Sequence, residues 1–203
     1  MVRHCVIAVI LMGISVLTLA LARKGKSSSG GGSGQLVDLT KKLLLRTLSG
    51  EFNENTLSEI GMYALSYCHS LTKIVMPKCK TIANGAFRNC DGVASALFEI
   101  ANFVGSNSFT DCHALQSITI GGSGEHVIIE SSAFVNCYHL SAVILPFDSV
   151  CVLENVNAFS RTPIADTSYI GSYGAIYVPQ ALVNEYKSAT NWSVYADRIV
   201  GIS

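Results

Sequence analysis

One pattern, repeated down the chain, constrains its fold more than any other feature. The first copy reads Ile60-Gly-x-Tyr-Ala-Leu65-x-x-Cys68-x-x-Leu71-x-x-Ile74-x-Met76-Pro77. The same register recurs from Ile82 to Phe98, from Val104 to Ile120 and from Ile129 to Pro146, and a degraded fifth copy starts at Leu153 and ends at Pro163-Ile164. The column Leu65, Phe87, Phe109, Phe134, Phe159 steps by 22, 22, 25 and 25 residues. A period of that size means a solenoid, in which each unit buries its apolar face only against its neighbours. We expect about four to five coils of 22–25 residues.

Within a coil, Leu71 to Met76 alternates like a half-buried strand that Pro77 ends, and 93–98, 115–120 and 140–145 are its equivalents. Strands one period apart should stack in parallel about 4.8 Å from one another. Ile74 and Met76 then face the core. Lys73, Ser95, Ser117 and Ala142 form one outward column, and Val75, Leu97, Thr119 and Ile144 form a second. The Gly-Ala-Phe segment is expected as a short turn or weak strand on the opposite wall.

The flanks differ in composition. Residues 5–22 are 18 positions without a charge, bounded by Arg3-His4 and Arg23-Lys24. As a helix they reach about 27 Å, near the roughly 30 Å of membrane hydrocarbon. Ala20-Leu21-Ala22 also fits a signal-peptidase site. Residues 1–26 are therefore either a signal peptide or a transmembrane anchor, and 27–35 are a Gly/Ser tether. We expect an N-terminal cap over 36–55, the solenoid over 56–165, and an α/β cap over 166–203. In that last segment 175–178 reads as a strand, Pro179 opens a helix running to about Lys187, and Trp192 to Ile202 is a second apolar stretch.

Charge excludes one class of partner. Lys+Arg and Asp+Glu are 14 each, so no basic face recruits nucleic acid. Cys68, Cys90, Cys112 and Cys137 occupy the same repeat position, which is not the layout of a disulfide framework. Stacked one per coil, their Cβ vectors run parallel, and a linear ladder cannot give zinc a tetrahedral set. They are expected as a buried ladder of small apolar thiols. His69, His113 and His139 are expected as solvated turn residues. No Ser/His/Asp constellation, paired carboxylates or phosphate cradle is assembled, and neither a cofactor nor a metal is implied. Asn191-Trp192-Ser193 is a glycosylation sequon in form, expected unused because Trp192 should be partly buried.

These motifs resemble the BspA-type (Treponema-type) leucine-rich repeat family. Ile82-Ala-Asn-Gly-Ala-Phe87-Arg-Asn-Cys90 and Cys112-His-Ala-Leu115-Gln-Ser-Ile118-Thr-Ile120 carry the likeness. The stretch from Ile176 to Tyr195 is similar to the closing segment of such proteins from gut bacteria and their phages. The resemblance covers about Thr56 to Ile202, and Ala96 and the insertion 121–126 depart from it. It implies a β-rich solenoid of the leucine-rich-repeat type and a non-enzymatic binding or adhesion module, secreted or anchored at the cell surface through residues 5–22. The family shares architecture and not a ligand, so it transfers no binding residues; the outward columns themselves give Lys73, Val75, Leu97, Thr119 and Ile144 as candidate contacts for a protein or glycan on the strand face. The column Val75/Leu97/Thr119/Ile144 has a second reading as mere sideways packing along a ladder. A phage tail or baseplate component in the virion is the alternative function. Nothing here sets an oligomeric state.

Overall fold

The computed structural model of the chain describes residues 49–121, 127–165 and 173–203, all within one unit, Ser49–Ser203. The apolar run 5–22, the tether 27–35, most of the expected N-terminal cap and the insertion at 122–126 lie outside the described residues.

The main wall is one sheet of seven strands: β1 (Gly50–Asn53), β3 (Leu71–Val75), β5 (Ser95–Phe98), β7 (Ser117–Ile120), β9 (Ala142–Ile144), β11 (Ala175–Pro179) and β12 (Ile199–Ile202), in that order. Every neighbouring pair is parallel. The opposite wall carries five two-residue strands at the first position of each copy: β2 (Glu59–Ile60), β4 (Thr81–Ile82), β6 (Phe103–Val104), β8 (Ile128–Ile129) and β10 (Val152–Leu153). Parallel stacking follows from the repeat, because equivalent residues of successive coils must meet in one column. The expected solenoid is thus present, but it is longer than its strongest motifs suggest. β1 lies inside the segment expected to be a cap over 36–55, and its residues pair with β3 from Gly50 to Asn53. Its coil carries neither the Phe nor the Cys of the consensus, so the periodicity that reveals the other copies is silent there.

The core is a column of rings. Phe87 and Phe109 stack at 5.2 Å, Phe109 and Phe134 at 5.5 Å, and Phe134 and Phe159 at 5.3 Å, the last pair within 3° of parallel. All four rings are fully buried, as are Ile74, Met76, Ile118 and Val143. Each buried ring of this size contributes on the order of 2 kcal/mol from area alone, with roughly 1 kcal/mol more per stacked pair.

The wall that carries the Phe residues is a turn, but an ordered one. The N–H groups of Leu65, Phe87, Phe109 and Phe134 each donate to a carbonyl of the next coil at 2.8 Å. Those of Tyr67, Asn89, Asp111 and Asn136 do the same at 2.8–3.1 Å. The backbone satisfies this every-other-residue pairing by taking left-handed geometry twice per coil: once at Tyr63, Gly85, Asn107 and Ser132, and again at Tyr67, Asn89, Asp111, Asn136 and Arg161. Asn, Asp and Gly suit that geometry.

The C-terminal segment continues the sheet as well as closing it. After β11 come a 3-10 turn (Gln180–Leu182), helix α1 (Val183–Ser188), a 3-10 helix (Ser193–Arg198) and β12, which returns to pair with β11. Pro179 ends β11 and sits just ahead of the helical stretch. Trp192 and Tyr195 pack on Phe159 at 6.1 and 5.5 Å and end the ring column.

Candidate functional site: the outer face of the sheet

The register places the second outward column in one unbroken row. Asn53 pairs with Val75, Val75 with Leu97, Leu97 with Thr119, Thr119 with Ile144, Ile144 with Tyr177, and Tyr177 with Val200. The inward residues one position away, from Phe52 through Ile74, Ala96, Ile118, Val143 and Ile176 to Ile199, are buried. Alternation along a strand sends the first set to the far side of the sheet. Val75, Leu97, Thr119 and Ile144 are all half-buried, as expected for side chains that touch along the ladder yet keep one surface in solvent.

A second row runs beside it through Glu51, Lys73, Ser95, Ser117, Ala142 and Ala175. Its only charges are at one end, where Lys73 Nζ lies 3.4 Å from Glu51 Oε1. The centre of the face is therefore smooth, free of charge, and lined by methyls and small hydroxyls. All five candidate contacts lie together on it, with Lys73 at its N-terminal end. Tyr177 and Val200 extend it. They were missed because the sequence between Ile144 and Tyr177 breaks the period, and only strand pairing shows that they share the row.

The thiol ladder is a core element. Cys90 donates to Leu65 O at 3.0 Å, Cys112 to Phe87 O at 3.2 Å, and Cys137 to Phe109 O at 3.1 Å. Each of these three thiols thus caps a carbonyl of the preceding coil, and Cys68 lies buried in the same column. In the fifth copy Thr162 takes the slot and turns its hydroxyl to Phe159 O at 2.7 Å. Burial pushes Cys112 and Cys137 well above the ordinary thiol value. A thiol so far from ionisation is a poor nucleophile. Among the described residues no group of three or more His, Cys, Asp or Glu converges on a metal position.

The histidines lie on the turn edge and are not independent of one another. His69 Nδ1 is 2.7 Å from Asp91 Oδ1, and His139 Nδ1 is 2.6 Å from the backbone carbonyl of His113, whose ring stacks on Tyr138 at 5.0 Å. The slot occupied by Asp91 separates His69 from His113, as expected, but His113 and His139 do meet across adjacent coils. Asn191 donates its amide to Leu153 O and Glu154 O at 2.7 and 3.0 Å, and Trp192 is fully buried. The sequon amide is thus held in the closing turn.

Among the described residues no helix is long and apolar enough to cross a membrane. No curated protein matches the chain. No solved structure matches it either. The BspA type leucine rich repeat region does match, in six copies over residues 50–176. That count exceeds the four to five coils of the periodicity, and its first residue coincides with β1. With six copies over most of the described body, a ladder of buried ring residues and two parallel walls, the chain belongs to the BspA type leucine rich repeat family.

Proposed function

We propose that this chain is a non-enzymatic binding module that holds a protein partner on the outer face of its seven-stranded sheet. Membership of the family supports a repeat-based binding module. The row Val75–Leu97–Thr119–Ile144–Tyr177 carries the finer assignment. It is continuous, half-exposed and free of charge at its centre. A rigid apolar stripe flanked by small residues lets another protein's backbone come close, and it meets that partner without desolvating charge. Lys73 and Glu51 at one end fix orientation more than affinity. Residues 1–26, read as a signal or an anchor, deliver the module to the outside of the cell.

The test uses the full chain against a panel of immobilised extracellular proteins, with the triple variant Val75→Ser, Leu97→Ser, Ile144→Ser beside it. Loss of capture by the variant, with an unchanged circular dichroism spectrum, supports the face. Equal capture by both proteins rejects it. N-terminal sequencing of the exported protein, with membrane partitioning, tests delivery: a cytosolic Met1 form defeats it and gives the virion reading its first support.

A further inference from the structure

The copy that starts at Ile60 departs from the three that follow it at two positions, and both departures are tyrosines. Later coils fill the first left-handed column with Gly85, Asn107 and Ser132, and the second with Asn89, Asp111, Asn136 and finally Arg161, of which all but Arg161 are small polar residues or glycine suited to that backbone. Tyr63 and Tyr67 sit there instead, at φ 52° and 64°. A bulky ring in that geometry is unfavourable, and such outliers gather at binding sites. The surface is arranged to receive one of them. The Tyr63 ring lies against the backbone of Gly85, where an added Cβ would stand 2.2 Å from Cε1. One ring face is thus seated while Tyr63 stays 47% exposed, and Tyr67 is 56% exposed. Tyr67 also meets His69 edge-to-face at 6.1 Å. His69 is bound to Asp91, and Arg88, whose backbone carbonyl accepts the Tyr67 N–H, lies 3.9 Å from Asp111. The ionisable side chains nearest the rings are thus turned toward one another.

We infer that Tyr63 and Tyr67 form an aromatic platform for a neutral saccharide. Its pyranose C–H faces would pack on the rings while its hydroxyls reach the His69–Asp91 pair. Exposed aromatic faces with a few fixed polar groups beside them suit a ligand that is apolar on its faces and polar at its rim. This platform lies on the turn wall. It is distinct from the sheet face and does not depend on it.

The experiment is affinity electrophoresis of the full chain through gels holding mannan, a neutral β-glucan or galactan, with heparin and a bare gel as controls. The variant Tyr63→Asn/Tyr67→Asn removes both rings but suits the left-handed backbone, so its thermal midpoint should equal or exceed that of the parent. We expect the parent to be retarded by at least one neutral polysaccharide. The double variant should bind at least tenfold more weakly, and the sheet-face triple variant should bind normally. Retardation by none of the neutral gels overturns the inference, as does retardation by heparin alone or equal retardation of parent and Tyr variant. Loss of protein capture with retained saccharide binding, or the reverse, separates the two sites.

Discussion

At the scale of single residues, the repeat columns show which side chains are interchangeable and which are not. Ser108 occupies the column filled elsewhere by Ala64, Ala86, Ala133 and Ala158, and its hydroxyl is fully buried with no hydrogen-bond partner. An orphaned buried hydroxyl costs about 1–3 kcal/mol. Ser108→Ala should therefore raise stability by roughly 1 kcal/mol, read as an upward shift of the urea midpoint; a lowered midpoint would show that the hydroxyl has a partner after all. Phe109 is the reverse case. It stacks on Phe87 and Phe134 and meets Phe98 edge-on at 6.0 Å. Phe109→Ala removes a ring that no neighbour can replace, and should cost about 3–5 kcal/mol by the same measurement.

At the scale of the coil, stability depends on how closely one unit approaches the next. Gly92 shows the limit. A Cβ there would meet the carbonyl oxygens of His69 and Leu71 at 2.4 and 2.8 Å, both backbone atoms of the preceding coil that cannot swing aside. Gly92→Ala should force two coils apart and lower the melting midpoint by several degrees, about 1–3 kcal/mol of overpacking. Open space in its place, seen as no change, would contradict the coil spacing. The buried thiols add a pH dependence. Burial raises Cys79 from 9.0 to about 11 and Cys151 from 9.0 to about 12. Above pH 9 the unfolded chain loses these protons while the folded chain keeps them, so the unfolded state binds fewer protons and stability falls as pH rises. The plateau lies below pH 9. Between pH 9 and 11 each of the two thiols should remove roughly 1.4 kcal/mol per pH unit, checked by urea titrations at pH 8 and pH 10. A flat profile would mean that the thiols are solvated.

At the scale of the whole body, a stack of coils needs its ends covered. The C-terminal cover is built around Cys151. Its N–H donates to the Tyr186 hydroxyl at 3.0 Å, that hydroxyl donates to its sulfur at 3.0 Å, and Trp192 Nε1 donates to its carbonyl at 2.6 Å. Tyr186 and Trp192 are themselves packed edge-to-face at 5.3 Å. This arrangement joins α1 to the fifth coil, and burial holds the Tyr186 hydroxyl protonated far above its usual range. Trp192→Ala would leave Tyr195 as the only C-terminal ring packed on Phe159. In a nearest-neighbour stack such damage spreads inward from the end. The variant should lose about 3–5 kcal/mol, with amide exchange quickening first in β10 and β11. Uniform quickening throughout would show a single cooperative unit instead.

The sequence by itself determined the coil. Period, inward Phe, strand alternation and the two outward columns were legible because they are local and repeated, and any one copy checks the others. It also placed Lys73, Val75, Leu97, Thr119 and Ile144 on one face. Only the tertiary structure showed that β1, β11 and β12 belong to the same sheet as the consensus strands. β1, β11 and β12 join the sheet through backbone pairing, which does not require consensus side chains, so the Phe and Cys columns do not reveal their membership. The left-handed columns were hidden for a related reason. The motif tolerates Gly, Asn, Asp and Ser there, and what unites them is a backbone angle and not a side-chain type. Once coordinates supply the angle, Tyr63 and Tyr67 stand out as the two aromatic residues in those columns, and the Gly85 seat becomes visible only when two coils lie against each other.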